Sequence, residues 1–162
     1  CYIYWSKTVS PGLKDVAVKS PGPCLVDVRV LLQDGKEATE AVLKEIEERL
    51  NESDIRPLTD LVTVSKPDPV EFTVDATFYV ARPDIAKAAV IEKNVRQAVE
   101  DFIKWQTEKM GRDINPSYLT KMMMEAGAKR VEIREPAFKS ITETEVGKLT
   151  GKTVLNGGIE DV

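Results

Sequence analysis

Histidine is absent from this 162-residue chain, which excludes imidazole triads, histidine general bases and any metal site that needs imidazole. The two cysteines, Cys1 and Cys24, make neither a disulfide framework nor a zinc site, and Cys24 reads as a small packed residue. What is left for catalysis is carboxylate chemistry. Glu71 and Asp75 share one face of an alternating strand, but i and i+4 on a strand lie about 13 Å apart, too far to act as a direct pair. They read as a solvated polar face. Asn156-Gly157-Gly158 has the composition of a backbone nest for an anion, yet neither a helix nor a lysine follows it as a phosphate loop requires, and a turn is the better reading. No catalytic, cofactor-binding or metal-ligating residue is therefore predicted.

One segment is unusual on physical grounds, Asp54-Ile55-Arg56-Pro57-Leu58-Thr59-Asp60. Pro57 drives Arg56 into extended backbone, Thr59 and Asp60 are able to bond nearby backbone groups, and Arg56 offers a planar fork to a carboxylate. Two readings stay open. In one, the segment is a rigid corner between a helix and a strand, with Arg56 held by Asp54 or Asp60; in the other, it is an anchor presented to a partner subunit.

The elements that position these residues follow from periodicity. Val26, Val28 and Val30 alternate with Asp27 and Arg29 as a half-buried strand over 25–32, preceded by a shorter strand at 15–18 and the turn Ser20-Pro21-Gly22-Pro23. Thr39 is an N-cap for a helix with the stripe Val42, Leu43, Ile46 and Leu50, and 61–64 returns to strand composition. After Pro67-Asp68-Pro69, a longer strand carries Phe72, Val74, Ala76, Phe78 and Val80 on one face. The recurrence of a Pro-x-Pro turn, strand and helix suggests two related units. A helix over 84–110 would be close to 40 Å long, at roughly 1.5 Å per residue, and its far end carries Lys104, Trp105 and Lys109. Its length exceeds what one small sheet needs, which makes that end a candidate interface. Asn115-Pro116 starts a short helix closed by Gly127, in which Met122 and Met123 are core filler and Met124 is exposed, and 130–134 is a further strand stopped by Pro136. Beyond it, a short hairpin or irregular extension is expected, with Asn156-Gly157-Gly158 as its turn.

The fold class predicted is α+β: two tandem small α/β sandwich units, each a short, mostly antiparallel sheet covered by one or two helices. Their expected bounds are 1–65 and 66–136, with 137–162 as the C-terminal extension. The 23 Lys and Arg and 27 Asp and Glu interleave to a net charge of −4, so no basic stripe awaits nucleic acid, and no apolar run reaches the roughly 20 residues of a membrane helix. Neither nucleic acid nor a membrane is expected as a partner. Cys1 is an unlikely natural start, so a longer protein is expected upstream.

Arg56-Pro57-Leu58-Thr59-Asp60-x-Val62-x-Val64, preceded by Asp15-Val16-x-Val18-x-Ser20-Pro21-x-Pro23 and Asp34-Gly35, resembles the C-terminal half of baseplate J-like proteins from contractile phage tails, phage-like bacteriocins and related injection machines. Trp5, Gly111-Arg112-Asp113-Ile114 and Val131-x-Ile133-x-x-Pro136 continue the resemblance, which runs from about Tyr4 to Pro136. Family members usually carry Pro-Gly where this chain has Pro23-Cys24. The resemblance implies a structural, non-enzymatic protein of the baseplate wedge, in a virion tail or phage-like particle assembled in the bacterial cytoplasm. Its implied partners are further copies of itself and other wedge proteins in a ring around the hub, with no small-molecule substrate and no cofactor. It also implies an N-terminal part beyond this chain. The competing class, from the residues alone, is a ferredoxin-like small-molecule-binding regulatory module.

Overall fold

In the computed structural model, which describes residues 1–52, 54–55 and 59–161, an α+β fold is built from four α-helices and two three-stranded sheets among those residues. Spatial proximity groups the chain into two units. The first holds Cys1–Pro69 with Glu108–Gly111 and Thr142–Val146; the second holds Val70–Thr107, Arg112–Ile141 and the chain from Gly147 onward.

In the first unit, β1 (Leu13–Gly22) and β2 (Leu25–Leu32) pair antiparallel, with Val16 opposite Val30 and Val18 opposite Val28. On the other side of β2, β3 (Leu61–Ser65) runs parallel to it, Val62 opposite Val26 and Val64 opposite Val28. A parallel pair needs a crossover, and the helix between the two strands supplies it. Its buried stripe Leu43, Ile46 and Leu50 packs on Val26, Val28, Val30 and Val62, with Thr39 capping its first turn by accepting the Val42 N–H at 3.4 Å. An eight-residue helix precedes all of this, unanticipated because it is short and lacks a side-chain N-cap. This is α1 (Tyr2–Val9), and the helix between β2 and β3 is α2 (Glu40–Leu50). Tyr2, Trp5 and Val9 form the face of α1 that packs on the core, and the Arg49 guanidinium of α2 lies 5.0 Å from the Trp5 ring centroid.

The opposite face of this sheet is also covered. Leu31 falls in the polar register of β2, yet it is only 1% exposed because Met110 and Val146, with Ala17 beside them, close over it. Asp15 fixes that cover by accepting the Met110 N–H at 2.9 Å, and the Gly111 N–H donates to the Glu145 carbonyl at 2.9 Å. The two segments that supply the cover are separated in the sequence from the rest of the first unit by stretches of the second.

In the second unit, β4 (Asp68–Ala81) is the central strand. It pairs antiparallel with β5 (Arg130–Glu135), Phe78 opposite Val131, and on its other side with β6 (Glu145–Glu160). Phe72 neighbours Gly147 and Thr150, Thr73 neighbours Gly151, and Tyr79 neighbours Gly157, an ascending register that makes β6 parallel to β4. Each sheet thus combines one antiparallel with one parallel pair. The apolar face of β4, Phe72 to Val80, packs on Ile91, Val95, Val99 and Phe102 of α3 (Ala88–Thr107) and on Leu119 and Met123 of α4 (Pro116–Glu125). Asn115 caps α4 by accepting the Ser117 N–H, and Met124 is exposed as expected.

Three expectations need correcting. Cys24, expected as a packed residue, is exposed at the turn between β1 and β2. The helix expected over 84–110 is α3 alone, twenty residues and about 30 Å. Pro83 sits in a 3-10 turn, Arg82–Lys87, before it. At its end, carbonyls of the last turn are taken by the Thr107 hydroxyl, which donates to Ile103 at 2.8 Å, and by Arg112, which donates to Trp105 at 2.5 Å. The tail expected as a hairpin or extension is mostly the sixteen-residue strand β6, and Asn156-Gly157-Gly158 is not its turn. Asn156 Oδ1 instead accepts the Gly158 N–H at 2.9 Å within the strand, where Gly158 has a positive φ of 103°.

Candidate interaction surfaces

Of the corner 54–60, Arg56, Pro57 and Leu58 lie outside the described residues. The rest of the segment has partners within its own unit. Asp54 forms an ion pair with Arg49 at 3.5 Å, Ile55 is buried in the first core, and Asp60 accepts a hydrogen bond from the Tyr2 hydroxyl at 3.0 Å, while Thr59 is exposed. Asp60 thereby joins this corner to α1, a contact that the spacing of the segment alone did not indicate.

At the other candidate surface the three residues separate. Lys104 is exposed on the last turn of α3, whereas Lys109 is exposed beyond the helix, in the Glu108–Gly111 segment of the first unit. Trp105 is half-buried. Its ring stacks on Tyr118 with centroids 4.1 Å apart, lies 6.1 Å from Phe102, and is covered by the Arg112 guanidinium at 4.3 Å. An aromatic so placed holds α3 against α4, which is why it occurs late in a helix that has no spare length.

Motif residues from the same stretch prove to be fold-holding groups. Asp113 accepts the Ile141 N–H at 2.9 Å, and Ile114 is buried and bridges to Lys139. Gln106, fully buried, donates to the Arg112 and Asp113 carbonyls at 3.0 and 3.1 Å and accepts the Asn115 N–H at 3.2 Å. An amide satisfies this loop because it offers donor and acceptor together. Its signal in the sequence is a lone polar residue in register with the apolar stripe, four positions after Phe102.

Several of the charged residues form ion pairs. Asp75 is bound by Arg134 through both oxygens, at 2.6 and 3.0 Å, which holds its carboxyl below the ordinary range; Glu71 is exposed. Glu92 is lowered by Arg96 and by Asn156. Arg130 binds both oxygens of Glu160, at 2.6 and 3.2 Å, and with Lys129 brings that carboxyl down to about 2. The Arg130 guanidinium also lies 4.0 Å from the Tyr79 ring centroid. Each of these carboxyls is stabilised as an anion, the reverse of what a proton donor requires. Among the described residues, no three His, Cys, Asp or Glu are placed to hold a metal ion, and no helix is long and apolar enough to cross a membrane. These charged groups are satisfied by partners within the chain itself.

The chain has relatives among known proteins. The family model of the Baseplate J-like central domain matches residues 1–66, and that of the Baseplate J-like protein C-terminal domain matches residues 73–155. The chain is similar to Baseplate protein J of Escherichia phage P2, with 30% identity over 165 residues that take in 99% of this chain and 53% of that protein. It thus spans about half the length of the curated relative it matches. A chain in the cryo-EM structure of the anti-feeding prophage (AFP) baseplate, 6-fold symmetrised, is similar in fold, with a TM-score of 0.62 over 91% of this chain and 36% of that one. Sequence identity there is 14%, so the likeness is one of fold.

Proposed function

The chain belongs to the Baseplate J-like family, and on that premise we propose that it is a structural component of a contractile-tail baseplate, in a phage, a prophage or a phage-like particle. The observation that carries this reading is the pair of family matches, central and C-terminal, which follow one another along the chain from residue 1 to residue 155. In this role the protein contacts further copies of itself and neighbouring wedge proteins in the ring around the hub, within a particle assembled in the bacterial cytoplasm. It has no catalytic task. Support for that comes from the missing histidines and from carboxyls held as ion-paired anions. No observation favours the small-molecule regulatory reading.

The test is made on particles. Tails purified from cells producing the full-length protein with an affinity tag should carry the tag in their baseplate fraction, and cells lacking the gene should yield no contractile tails. Intact, contracting tails made without the protein would overturn the reading.

A further inference from the structure

β6 is an edge strand of the second sheet, with no strand beyond it among the described residues. Along that edge runs a groove of about 810 Å³, walled by α3 on one side and by Lys152, Thr153 and Val154 on the other. Lys152 and Val154 lie on the face toward α3, Lys152 pairing with Glu100 and Val154 packing against the core, with Thr153 between them. The Val154 carbonyl points into it and accepts from Arg96 Nη1 at 3.1 Å, a side chain standing where a neighbouring strand would donate. In a strand, the N–H and C=O of one residue project to the same side, so Lys152 and Val154 turn theirs outward and Thr153 turns its own toward β4.

The charges of the groove indicate what it lacks. Glu92 is paired with Arg96 at 2.9 Å and Glu100 with Lys152, whereas Lys93 is exposed and makes no ion pair among the described residues. Next along the strand, Leu155 is 51% exposed on the sheet face opposite Val154.

We propose that this groove receives an extended, acidic segment of a neighbouring baseplate protein, which adds beside β6 as a fourth strand. Its backbone pairs with Lys152 and Val154, displacing Arg96 from the carbonyl; its alternate side chains cover Leu155 on one face and meet Val154 and Ala89 on the other, and a carboxylate meets Lys93. The proposal rests on the reading of the chain as a baseplate component.

A photo-crosslinking residue placed at Thr153 of the full-length protein, in assembled particles, tests it, with a second crosslinker at Lys104 as a reference. The expected product at 153 joins one contiguous acidic segment of another baseplate protein, identified by mass spectrometry. Its yield should fall at least tenfold in Val154→Pro, which removes an outward N–H, and several-fold in Lys93→Glu, which leaves the backbone untouched should the proline variant fail to fold. Products at 104 but none at 153, a product mapped to a helix, a product with a second copy of this chain, or a yield unchanged in Lys93→Glu would each overturn the proposal and leave the baseplate reading standing. A protein missing from the particles would overturn both.

Discussion

Cys24 holds a left-handed backbone conformation, φ 59°, at the tip of the β1–β2 hairpin. A side chain with a Cβ crowds its own carbonyl there, at a cost of about 1–2 kcal/mol, which glycine escapes while losing more chain entropy on folding. A glycine at this position would adopt that conformation without the crowding. Cys24→Gly is expected to stabilise the protein by about 0.5–1 kcal/mol and raise its melting temperature by about 1–4 °C, read by thermal denaturation. No change, or a fall, would count against the left-handed turn. Glu160 carries a second prediction. Its carboxyl is lowered from an ordinary 4.5 to about 2, so its stabilising contribution is complete above pH 4.5 and is lost as pH falls toward 2. Melting temperatures of wild type and Glu160→Gln measured against pH should therefore differ by a constant amount above about pH 5 and converge near pH 2.

At the scale of elements, what could be read in advance depended on whether a segment buried one face alone. The stripe Leu43, Ile46 and Leu50 and the alternation of Phe72 to Val80 each face one core, and both were legible as helix and strand. β6 was not legible, because its apolar residues are irregular and Gly147, Gly151, Gly157 and Gly158 punctuate it as a loop would. The reason lies in β4. Three of these glycines face its larger side chains, and a Cβ on Gly157 would stand 2.3 Å from the Tyr79 ring. Gly157→Ala is accordingly expected to cost about 1–3 kcal/mol, measured by chemical denaturation, with the displaced Tyr79 ring visible as a loss of its stacking on Arg130. The cover over Leu31 was equally hidden, since nothing local relates Met110 or Val146 to a strand so far upstream. Met110→Ala should lose about 2–3 kcal/mol by leaving a cavity on the outer face of the first sheet. A change under 0.5 kcal/mol would mean that Leu31 is covered by something else.

For the whole molecule, the candidate interface residues divided by physical type. Trp105 is partly buried and packs against the second core, with Tyr118 stacked on it and the Arg112 guanidinium over its ring, neighbours that its place in the sequence does not reveal. Lys104 and Lys109 remain exposed, as solvated charges near a helix end commonly are. Their double reversal, Lys104→Glu with Lys109→Glu, should leave the stability of the isolated chain within about 0.5 kcal/mol while reducing the yield of assembled baseplates. Normal assembly and contraction of particles carrying both substitutions would place the contact on other surfaces.

The two late segments of the first unit set a schedule for synthesis. Helix α2 and all three strands of that unit have been translated by residue 65, yet Met110 follows 45 residues later and Val146 81 residues later. At roughly 5–20 residues per second, the nascent chain spends about 4–16 s with its first sheet formed on one side and Leu31 bare on the other. A ribosome-bound chain stopped before residue 108 should therefore present an apolar strip to chaperones, and one released at full length should not.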